Sequence, residues 1–468
     1  MIATNAGGSK GPSDGNFALG RSMASVATRV LESGGRRARL EPRMMAVLQV
    51  LAEREGELVT RETLIARCWN GAPIGEDSLN RAIAGIRRAH RSLGIEDFAI
   101  ETVAAAGYVL NVSPGAAMDV EAVIEASRRS WRYGQTRADG EIIENLHAAA
   151  ERESDDARIW GRLALQYCRA AEYAPIEDCD RIVSNCEEAA ARALALDAGQ
   201  PDARVAQSSL RPLYGDWFGA RRRLLAVLSD VPEHFPARHE LAVLEMSTGC
   251  VSRAIRMIAG LLEEDPLAAT LHYKRGYHLY CLGEHDAMDR VLDNALQLWP
   301  GHAGLWQCRT MTLAFTGRAA LALEMLDDEA LRPPMPPGTL EFHKTALAAL
   351  ADGSAEQSDR AISVLSDSVR WQSLAVAGIM YLPALGGIEQ AMDLCRAYYL
   401  RDGEAPVRLR HDAAIEASIN EMRRRATQAL FLPVCQPLRE HPKFLDLCER
   451  MGLVDYWQVA DVTPDFLA

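Results

Sequence analysis

The stretch GCVSRAIRMIAGLLEEDPLAATLHYKRGYHLYCLG, residues 249–283, contains one full unit of a repeat that recurs along the chain. Its two terminal glycines are 34 residues apart, and the same interval separates other glycines, prolines and small residues. These series are Gly215, Gly249, Gly283 and Gly317; Pro232, Pro266, Pro300 and Pro334; and Ala220, Ala254, Met288 and Ala322. Glycine permits a turn between two helices, and proline ends the second helix because it cannot continue the hydrogen-bond ladder. The stretch therefore predicts repeated helix pairs.

A 34-residue helix-turn-helix period is typical of tetratricopeptide repeats. The string WGRLALQY, residues 160–167, resembles the start of such a unit, and looser marks continue at Gly353 and Gly387. We therefore predict an all-α, tetratricopeptide-like solenoid over residues 119–468. Its last segment, FLPVCQPLREHPKFLDLCERMGLVDYWQVADVTPDFLA, is expected to cap the solenoid, because an end repeat must cover an otherwise exposed apolar face.

One helix of the repeats carries an aromatic stripe with a basic residue beside it. Tyr273, Tyr277 and Tyr280 fall at positions i, i+4 and i+7, next to Lys274. Repeat arrays of this kind offer a concave groove, so these four residues are candidates for holding a protein or peptide partner. An aromatic stripe at helical spacing is more often packed between elements, and that alternative stays open.

Residues 17–112 instead alternate short strands with short helices, which predicts an α+β domain. Residues 17–19 and 26–31 favour strands, and Gly34-Gly35 suits the tight turn of a hairpin that returns through residues 37–40. A second hairpin is predicted from residues 100–103 and 108–112.

Three helices are predicted between these strands. Pro42 suits the first turn of helix one, which Gly56 stops, and Thr60 is a candidate N-cap for helix two. Helix three begins near Asp77 or Ser78 and ends at Leu93. Its wheel separates an apolar face from a cationic face, and the cationic face can enter the major groove of DNA. The apolar face has Leu79, Ile83, Ile86 and Leu93, and the other has Asn80, Arg81, Ala84, Arg87, Arg88 and Arg91.

Three strings in this region carry a resemblance to a known family. They are LEPRMMAVLQVLAEREGELVTRETLIARCW (40–69), GEDSLNRAIAGIRRAHRSLG (75–94) and IETVAAAGYVL (100–110). Residues 17–112 thereby resemble the OmpR/PhoB-type winged helix-turn-helix, in the branch of CadC-like and HilA-like regulators. The resemblance implies double-stranded DNA as a partner, helix three as the recognition helix, and a contact with RNA polymerase at the loop of residues 70–77. The implied DNA-binding residues are Ser78, Asn80, Arg81, Ala84, Arg87, Arg88 and Arg91.

The chain departs from this family in its wing and in its recognition helix. The wing has Ala104, Ala105, Ala106 and Val109 where the family usually carries cations, which predicts a weaker grip on DNA. Ala84 and Gly85 stand where the response-regulator branch often has arginine, and the glycine costs about 1 kcal/mol of helix stability relative to alanine.

Charge is divided unevenly along the 468 residues. The net charge of −13 splits into +2 over residues 1–115 and −15 over the rest. This division fits a separate N-terminal binding domain followed by an acidic C-terminal domain. Residues 1–16 are expected to form a flexible tail, not a signal peptide, and residues 113–118 a linker. The ten cysteines show no CxxC pair and indicate reduced thiols in a cytoplasmic protein. No apolar stretch is long enough to predict a membrane anchor.

The sequence also lacks common catalytic and cofactor fingerprints. It contains no GxxxxGK[ST], HExxH or GxGxxG motif, so we predict neither an enzyme nor a cofactor. His278, Cys281 and His285 lie close in sequence, but no fourth ligand accompanies them and we assign no metal.

These patterns together favour a one-component bacterial transcription regulator, whose repeat domain senses or recruits a protein partner and which can act as a homodimer. The alternative is a non-enzymatic scaffold or adaptor in which the winged helix has lost specific DNA binding, as its alanine-rich wing suggests. A nucleotide cyclase fused to repeats is a distant third, because residues 119–468 show almost no strand signal.

Overall fold

The chain divides into two compact units, Met1–Ala122 and Val123–Ala468. The computed structural model describes residues 17–20, 22–26, 28–33, 36–69, 76–93, 98–103, 106–112, 120–133, 139–173, 176–210, 216–329, 332–335, 338–369, 372–402 and 426–468. The tail expected at residues 1–16 and the linker expected at residues 113–118 lie outside the described residues.

The first unit opens with a four-stranded antiparallel meander. Its strands are β1 (Phe17–Leu19), β2 (Ser22–Ser25), β3 (Val30–Ser33) and β4 (Arg36–Arg39), and each pairs with the next. The single strand predicted for residues 26–31 is wrong in part: a turn precedes Val30, where Arg29 has a φ of 58°. The backbone thus turns back at a residue other than glycine, and a strand that the sequence did not indicate lies before the turn. The Gly34-Gly35 turn lies outside the described residues.

The rest of the unit is a helical core closed by a three-stranded sheet. The elements are α1 (Pro42–Ala52), β5 (Leu58–Thr60), α2 (Arg61–Trp69), α3 (Glu76–Leu93), β6 (Phe98–Val103) and β7 (Gly107–Val112). The sheet order is β5-β7-β6, all antiparallel. Thr60 Oγ1 accepts a hydrogen bond of 3.2 Å from the Thr63 amide, which confirms the predicted N-cap of α2. The three helices, the two sheets and the apolar core between them make this unit a winged helix, and β5 is a second strand that the sequence did not indicate.

The second unit is built from antiparallel helix pairs. Its helices are α4 (Val120–Tyr133), α5 (Asp139–Arg152), α6 (Ala157–Tyr173), α7 (Ile176–Leu196), α8 (Pro201–Leu210), α9 (Trp217–Asp230), α10 (Phe235–Ser247), α11 (Val251–Glu264), α12 (Ala269–Cys281), α13 (His285–Leu298), α14 (Ala303–Phe315), α15 (Ala319–Asp327), α16 (Thr339–Asp352), α17 (Ala355–Ser368), α18 (Gln372–Ala384) and α19 (Ile388–Cys395). A short π-helical turn, Arg396–Leu400, continues α19.

The predicted 34-residue period is visible in where these helices begin. The first helices of four successive pairs start at residues 201, 235, 269 and 303, and the second helices at 217, 251, 285 and 319. Gly249, Gly283 and Gly317 occupy the turn inside three of these pairs with φ between 71° and 83°. Ala220, Ala254, Met288 and Ala322 are at most 2% exposed. The later pairs begin at 339 and 372, so their spacing loosens as predicted. The described unit is an all-α, tetratricopeptide-like array.

The chain ends in a segment, residues 426–468, that we call the C-terminal segment. It contains two 3₁₀ turns (Ala426–Phe431 and Pro433–Cys435), three short helices, α20 (Gln436–Arg439), α21 (Phe444–Arg450) and α22 (Leu453–Val459), and a last 3₁₀ turn (Asp465–Leu467).

This segment contacts helix pairs far from the end of the array. The Trp217 indole N–H of α9 donates to the Met451 carbonyl at 2.8 Å, and the Trp457 indole N–H donates to the Thr248 carbonyl beyond α10, also at 2.8 Å. On the other side, the Cys435 thiol lies 3.5 Å from the Ile379 carbonyl of α18. The expectation of a terminal cap is therefore too narrow. The C-terminal segment spans from the α9–α10 region to α18 and shares one apolar core with them.

None of the helices in the described ranges is both long and apolar enough to cross a membrane. All ten cysteines are free thiols, and every one except Cys281 is buried.

Candidate functional site

The recognition helix predicted from the sequence is α3, and its inner face holds it in the winged helix. Leu79, Ile83, Ile86 and Leu93 are each at most 1% exposed, which confirms the predicted apolar face. His90 is also buried and stacks on Phe98 of β6, with the ring centroids 3.9 Å apart. Packing against α1 and β6 fixes the rotation of α3 about its axis, and this rotation decides which side chains point outward.

The outer face of α3 carries a basic stripe. Arg81, Ala84, Arg88 and Arg91 are exposed and follow one another at intervals of three and four residues, so they share one side of the helix. At 1.5 Å per residue, the ten steps from Arg81 to Arg91 cover about 15 Å of helix. Ser78 lies half-buried one turn before this stripe. A cationic face of this length suits a row of phosphates or guanine edges in a major groove.

Arg87 does not join that stripe. Its Nε donates to the Ile100 carbonyl at 3.0 Å, its Nη2 donates to Thr102 Oγ1 at 2.9 Å, and the side chain is half-buried. Both acceptors belong to β6, so Arg87 ties α3 to the second sheet. Two of its nitrogens thus bond inside the domain, and DNA contact by Arg87 stays a prediction.

Asn80 stands at the centre of a small polar cluster. Its Oδ1 accepts hydrogen bonds from the Tyr108 hydroxyl at 2.7 Å and from the Arg61 guanidinium at 3.1 Å. The Arg61 guanidinium also lies 5.1 Å from the centroid of the Tyr108 ring. The cluster joins the start of α2, the exposed face of α3 and strand β7. With its oxygen engaged twice, Asn80 has its amide nitrogen as the donor for any further partner.

Arg61 and Tyr108 belong to the cluster around Asn80, although the sequence patterns did not indicate them. Arg61 follows the predicted cap Thr60 directly, and its amide donates to the Ala106 carbonyl at 3.1 Å, which places α2 beside the wing. The sequence places Tyr108 only at the start of a predicted strand of the second hairpin. Its contact with Asn80 depends on strand pairing that local periodicity does not reveal.

Two glycines explain features that the sequence left as departures. A methyl group at Gly85 would overlap the Sδ–Cε end of Met44, so the glycine of α3 lets α1 approach closely. A methyl group at Gly107 would overlap the Val59 carbonyl and lie 2.9 Å from Thr60 Cα, so β7 can pair with β5 only without a side chain there. The close approach of α1 to α3 offsets the loss of about 1 kcal/mol of helix stability that glycine causes relative to alanine.

The positions named for the wing and for the RNA polymerase loop are described only in part. Val109 pairs with Leu58 and is 6% exposed, so it belongs to the core and not to the outer face of the wing. Ala104 and Ala105 of the wing, and residues 70–75 of the loop assigned to RNA polymerase, lie outside the described residues. Ala106 is described and accepts the bond from Arg61.

The candidate partner residues of the repeat domain divide into two groups. Tyr280 is 6% exposed and its ring lies 6.5 Å from that of Phe315, so it packs between helices. Tyr273, Lys274 and Tyr277 are half-buried and line a cavity of about 180 Å³. The walls of this cavity come from α10, α11, α12, α14, α18 and the C-terminal segment. The stripe is therefore partly packing and partly cavity lining.

Among the residues that the structure describes, no group of three or more His, Cys, Asp or Glu side chains is arranged to hold a metal ion.

Known proteins resemble the first unit at the level of sequence. The family described as "Transcriptional regulatory protein, C terminal" matches residues 35–110. The transcriptional regulator HilA of Salmonella typhimurium is 39% identical over 72 residues, which are 15% of this chain and 13% of HilA, and HilA of Salmonella paratyphi A matches equally. The chain therefore spans only a small part of the curated relatives that it matches.

Solved structures resemble the chain more weakly. A tetratricopeptide repeat protein from Parabacteroides merdae shares 16% identity with a TM-score of 0.33, covering 58% of this chain and 98% of that chain. Yeast Tom70 shares 11% identity with a TM-score of 0.35, covering 87% and 84%. Because both TM-scores are low, the repeat assignment rests on the helix spacing of this chain. Residues 35–110 match the transcriptional regulatory protein C-terminal family and lie in a winged helix, which is followed along the chain by an all-helical, tetratricopeptide-like array.

Proposed function

We propose that this protein is a one-component bacterial transcription regulator that binds promoter DNA through the outer face of α3. The family of its winged helix is one of DNA-binding transcription regulators. The single observation that carries the proposal is the exposed stripe of Arg81, Arg88 and Arg91 on a helix whose opposite face is locked into the core. Acting on chromosomal DNA places the protein in the cytoplasm.

Different side chains of α3 are expected to contact different parts of the DNA. Arg88 and Arg91 suit phosphate contacts, which position the helix and make affinity depend on salt. Arg81 and the Asn80 amide lie nearer the start of the helix, where a recognition helix usually meets base edges. Arg87 and Tyr108 hold α3 and Asn80 in place, and they act as positioning residues.

The remaining partners follow from the family resemblance and from the second unit. The loop of residues 70–77 is the expected contact with RNA polymerase. A homodimer on paired half-sites would double the contact with DNA. The repeat array serves as the part that receives a signal or recruits a protein partner.

Binding of the full chain to genomic DNA fragments at two salt concentrations tests the proposal. Wild type should form a specific complex that weakens steeply with salt. The double variant Arg81→Ala/Arg88→Ala should lower affinity and reduce the slope of log affinity against log salt by about two. Arg192→Ala/Arg222→Ala removes the same charge from exposed positions of α7 and α9 and should leave binding unchanged.

Two results would contradict the proposal. If the wild-type chain shows no shift even at low salt, the winged helix acts as a protein-interaction module and the adaptor alternative is favoured. If both double variants weaken binding equally, net charge and not the face of α3 governs the interaction.

A further inference from the structure

An open groove of about 340 Å³ lies between the second helices of two successive repeats. Its lining residues come from three helices: Arg221 of α9, Leu241 and Glu245 of α10, and Arg253, Arg256 and Met257 of α11. Leu241 and Glu245 are buried and form the floor, so α9 and α11 provide the two walls. We call this surface the α9–α11 groove.

The carboxylate among the lining residues of the groove is already paired. The Glu245 side chain is 3% exposed, and its Oε1 accepts a hydrogen bond of 3.1 Å from Arg221 Nε. Arg253 Nη1 lies 3.7 Å from Oε2 of the same carboxylate. Two arginines thus share one buried negative charge, and the Arg253 side chain, which is 41% exposed, still faces solvent in part.

Arg256 adds a further cation to the wall of the groove. Its side chain is exposed, and it forms no ion pair with any residue that the structure describes. Three arginines against one carboxylate give the groove a local charge of +2, although residues 116–468 carry a net charge of −15. A concave surface lined by one sign of charge attracts groups of the opposite sign.

Large apolar side chains extend the α9 wall of the groove toward solvent. Phe218 and Leu225 are 38% and 39% exposed, and they lie three residues before and four residues after Arg221. Residues at these intervals share one side of a helix, so both apolar side chains stand beside the groove. Exposed apolar groups that are clustered and rimmed by polar residues mark surfaces of interaction.

The next repeat shows that this chemistry belongs to one groove and not to the repeat in general. The residues 34 positions after Arg221, Glu245 and Arg253 are Ile255, Leu279 and Ala287. The ion pairs of the α9–α11 groove therefore have no equivalent there. Arg256 alone has a basic counterpart, Arg290 of α13, which is also exposed.

We propose that the α9–α11 groove binds a short acidic segment of a partner protein that carries at least one large apolar side chain. Its carboxylates pair with Arg253 and Arg256, and its apolar side chain packs against Phe218 and Leu225. Charges are screened over about 8 Å at physiological salt, so a short segment senses the local arginines. A long nucleic acid would also cross the acidic surface around them. The proposal rests on the proposed role of the array in recruiting a protein partner, and it gives that partner its chemistry.

Selection of short random peptides displayed on phage, with the full chain immobilised, tests the proposal. The selected peptides should combine Asp or Glu with a large apolar residue. Fluorescence anisotropy with a labelled synthetic copy of the strongest binder then measures affinity, which should fall as salt rises because exposed charges are screened. The variant Arg81→Ala/Arg88→Ala should bind this peptide as wild type does, so loss of DNA binding and loss of peptide binding are separate results.

Variants of the groove separate its charge from its apolar contact. Arg256→Glu should weaken peptide binding about tenfold or more, because a like charge then faces the peptide. Arg290→Glu makes the same change one repeat further along and is the matched control, which should bind as wild type does. Leu225→Ser should weaken binding about tenfold through loss of apolar contact, whereas Leu321→Ser, at a 47% exposed position of α15, should not. All four positions are exposed, so thermal unfolding should stay close to that of wild type.

Three outcomes would overturn the proposal. The first is that no peptide is enriched, or that the enriched peptides lack acidic residues. The second is that Arg256→Glu binds the peptide as tightly as wild type, or that Arg290→Glu weakens binding equally, which places binding elsewhere or assigns it to net charge. The third is that Arg256→Glu lowers the DNA affinity of the chain as much as its peptide affinity, which makes the groove part of a nucleic-acid surface.

Discussion

The outer face of α3 and the inner surface of the repeat array were both predicted to meet a partner, and they differ in what covers them. The α3 stripe of Arg81, Arg88 and Arg91 is exposed, as the helical wheel predicted. On the repeat array, the C-terminal segment bonds to α9, α10 and α18. Together with α10, α12, α14 and α18 it lines the cavity that contains Tyr273, Lys274 and Tyr277.

This difference follows from how far along the chain the covering residues lie. The exposure of α3 is set by elements within one small domain, so local periodicity indicates it well. The groove is covered by residues more than 200 positions away: Trp217 bonds Met451, and Thr248 bonds Trp457. No local pattern encodes such a contact, and a repeat motif alone suggests an open groove.

The largest effect is expected where the C-terminal segment bonds to the residue that follows α10. Trp457→Ala removes an indole that is 7% exposed and its hydrogen bond to the Thr248 carbonyl. Loss of a buried tryptophan should lower the free energy of unfolding by about 3–5 kcal/mol, measured by urea denaturation. Val459→Ala, on the same short helix but 63% exposed, should change it by less than about 0.5 kcal/mol. Equal effects would mean that the segment is not part of the core.

Equivalent glycines of the repeat provide a second, finer test of the same contact. Gly249 and Gly283 both have positive φ, so alanine should cost each about 1–2 kcal/mol. At Gly249 the added methyl group would lie 2.9 Å from Phe431 and 3.1 Å from Pro464, whereas nothing lies within 4 Å at Gly283. Gly249→Ala should therefore lose about 1–3 kcal/mol more than Gly283→Ala in the same denaturation experiment. If the two variants are equally stable, the C-terminal segment does not lie against this turn.

Much of the fold was readable from the sequence because its signals are local. The 34-residue series placed the turns of the repeat, and Pro42, Thr60 and Leu93 bounded helices of the winged helix close to where they lie. The strand β2 was missed because the turn after it contains Arg29 at positive φ. Turns of this kind are usually predicted from glycine, and arginine gives no such signal. Strand β5 was missed because it is three residues long and is defined by its pairing with β7.

Neighbouring arginines of α3 test the distinction between an exposed and an engaged side chain. Arg87→Ala should lower the free energy of unfolding of the winged helix by about 1.5–3 kcal/mol, because its charged hydrogen bonds to β6 are lost. Arg88→Ala should leave stability nearly unchanged and reduce the salt dependence of DNA binding by about one phosphate contact. Thermal unfolding and titration with DNA at two salt concentrations measure both quantities. The reverse pattern would show that Arg87 is the DNA-binding residue.

The helical wheel places both arginines outside the apolar face of α3, but about 100° apart, with Arg87 at the edge of that face. The approach of β6, whose Ile100 carbonyl and Thr102 hydroxyl accept from Arg87, decides their different roles. The residues of the candidate site were thus predictable as a set, while the role of each depends on a strand that comes later in the chain.

The smallest expected effect concerns Tyr108, which connects the wing to the exposed face of α3. Tyr108→Phe removes only the hydroxyl that donates to Asn80 Oδ1, and the ring stays in place beside Arg61. Stability should fall by about 0.5–1.5 kcal/mol, and DNA affinity should fall modestly because the Asn80 amide loses one of the two bonds that orient it. A double-mutant cycle with Asn80→Ala measures the coupling directly. If the two substitutions are additive in both stability and DNA affinity, the hydroxyl does not position Asn80, and the wing and the recognition helix reach DNA independently.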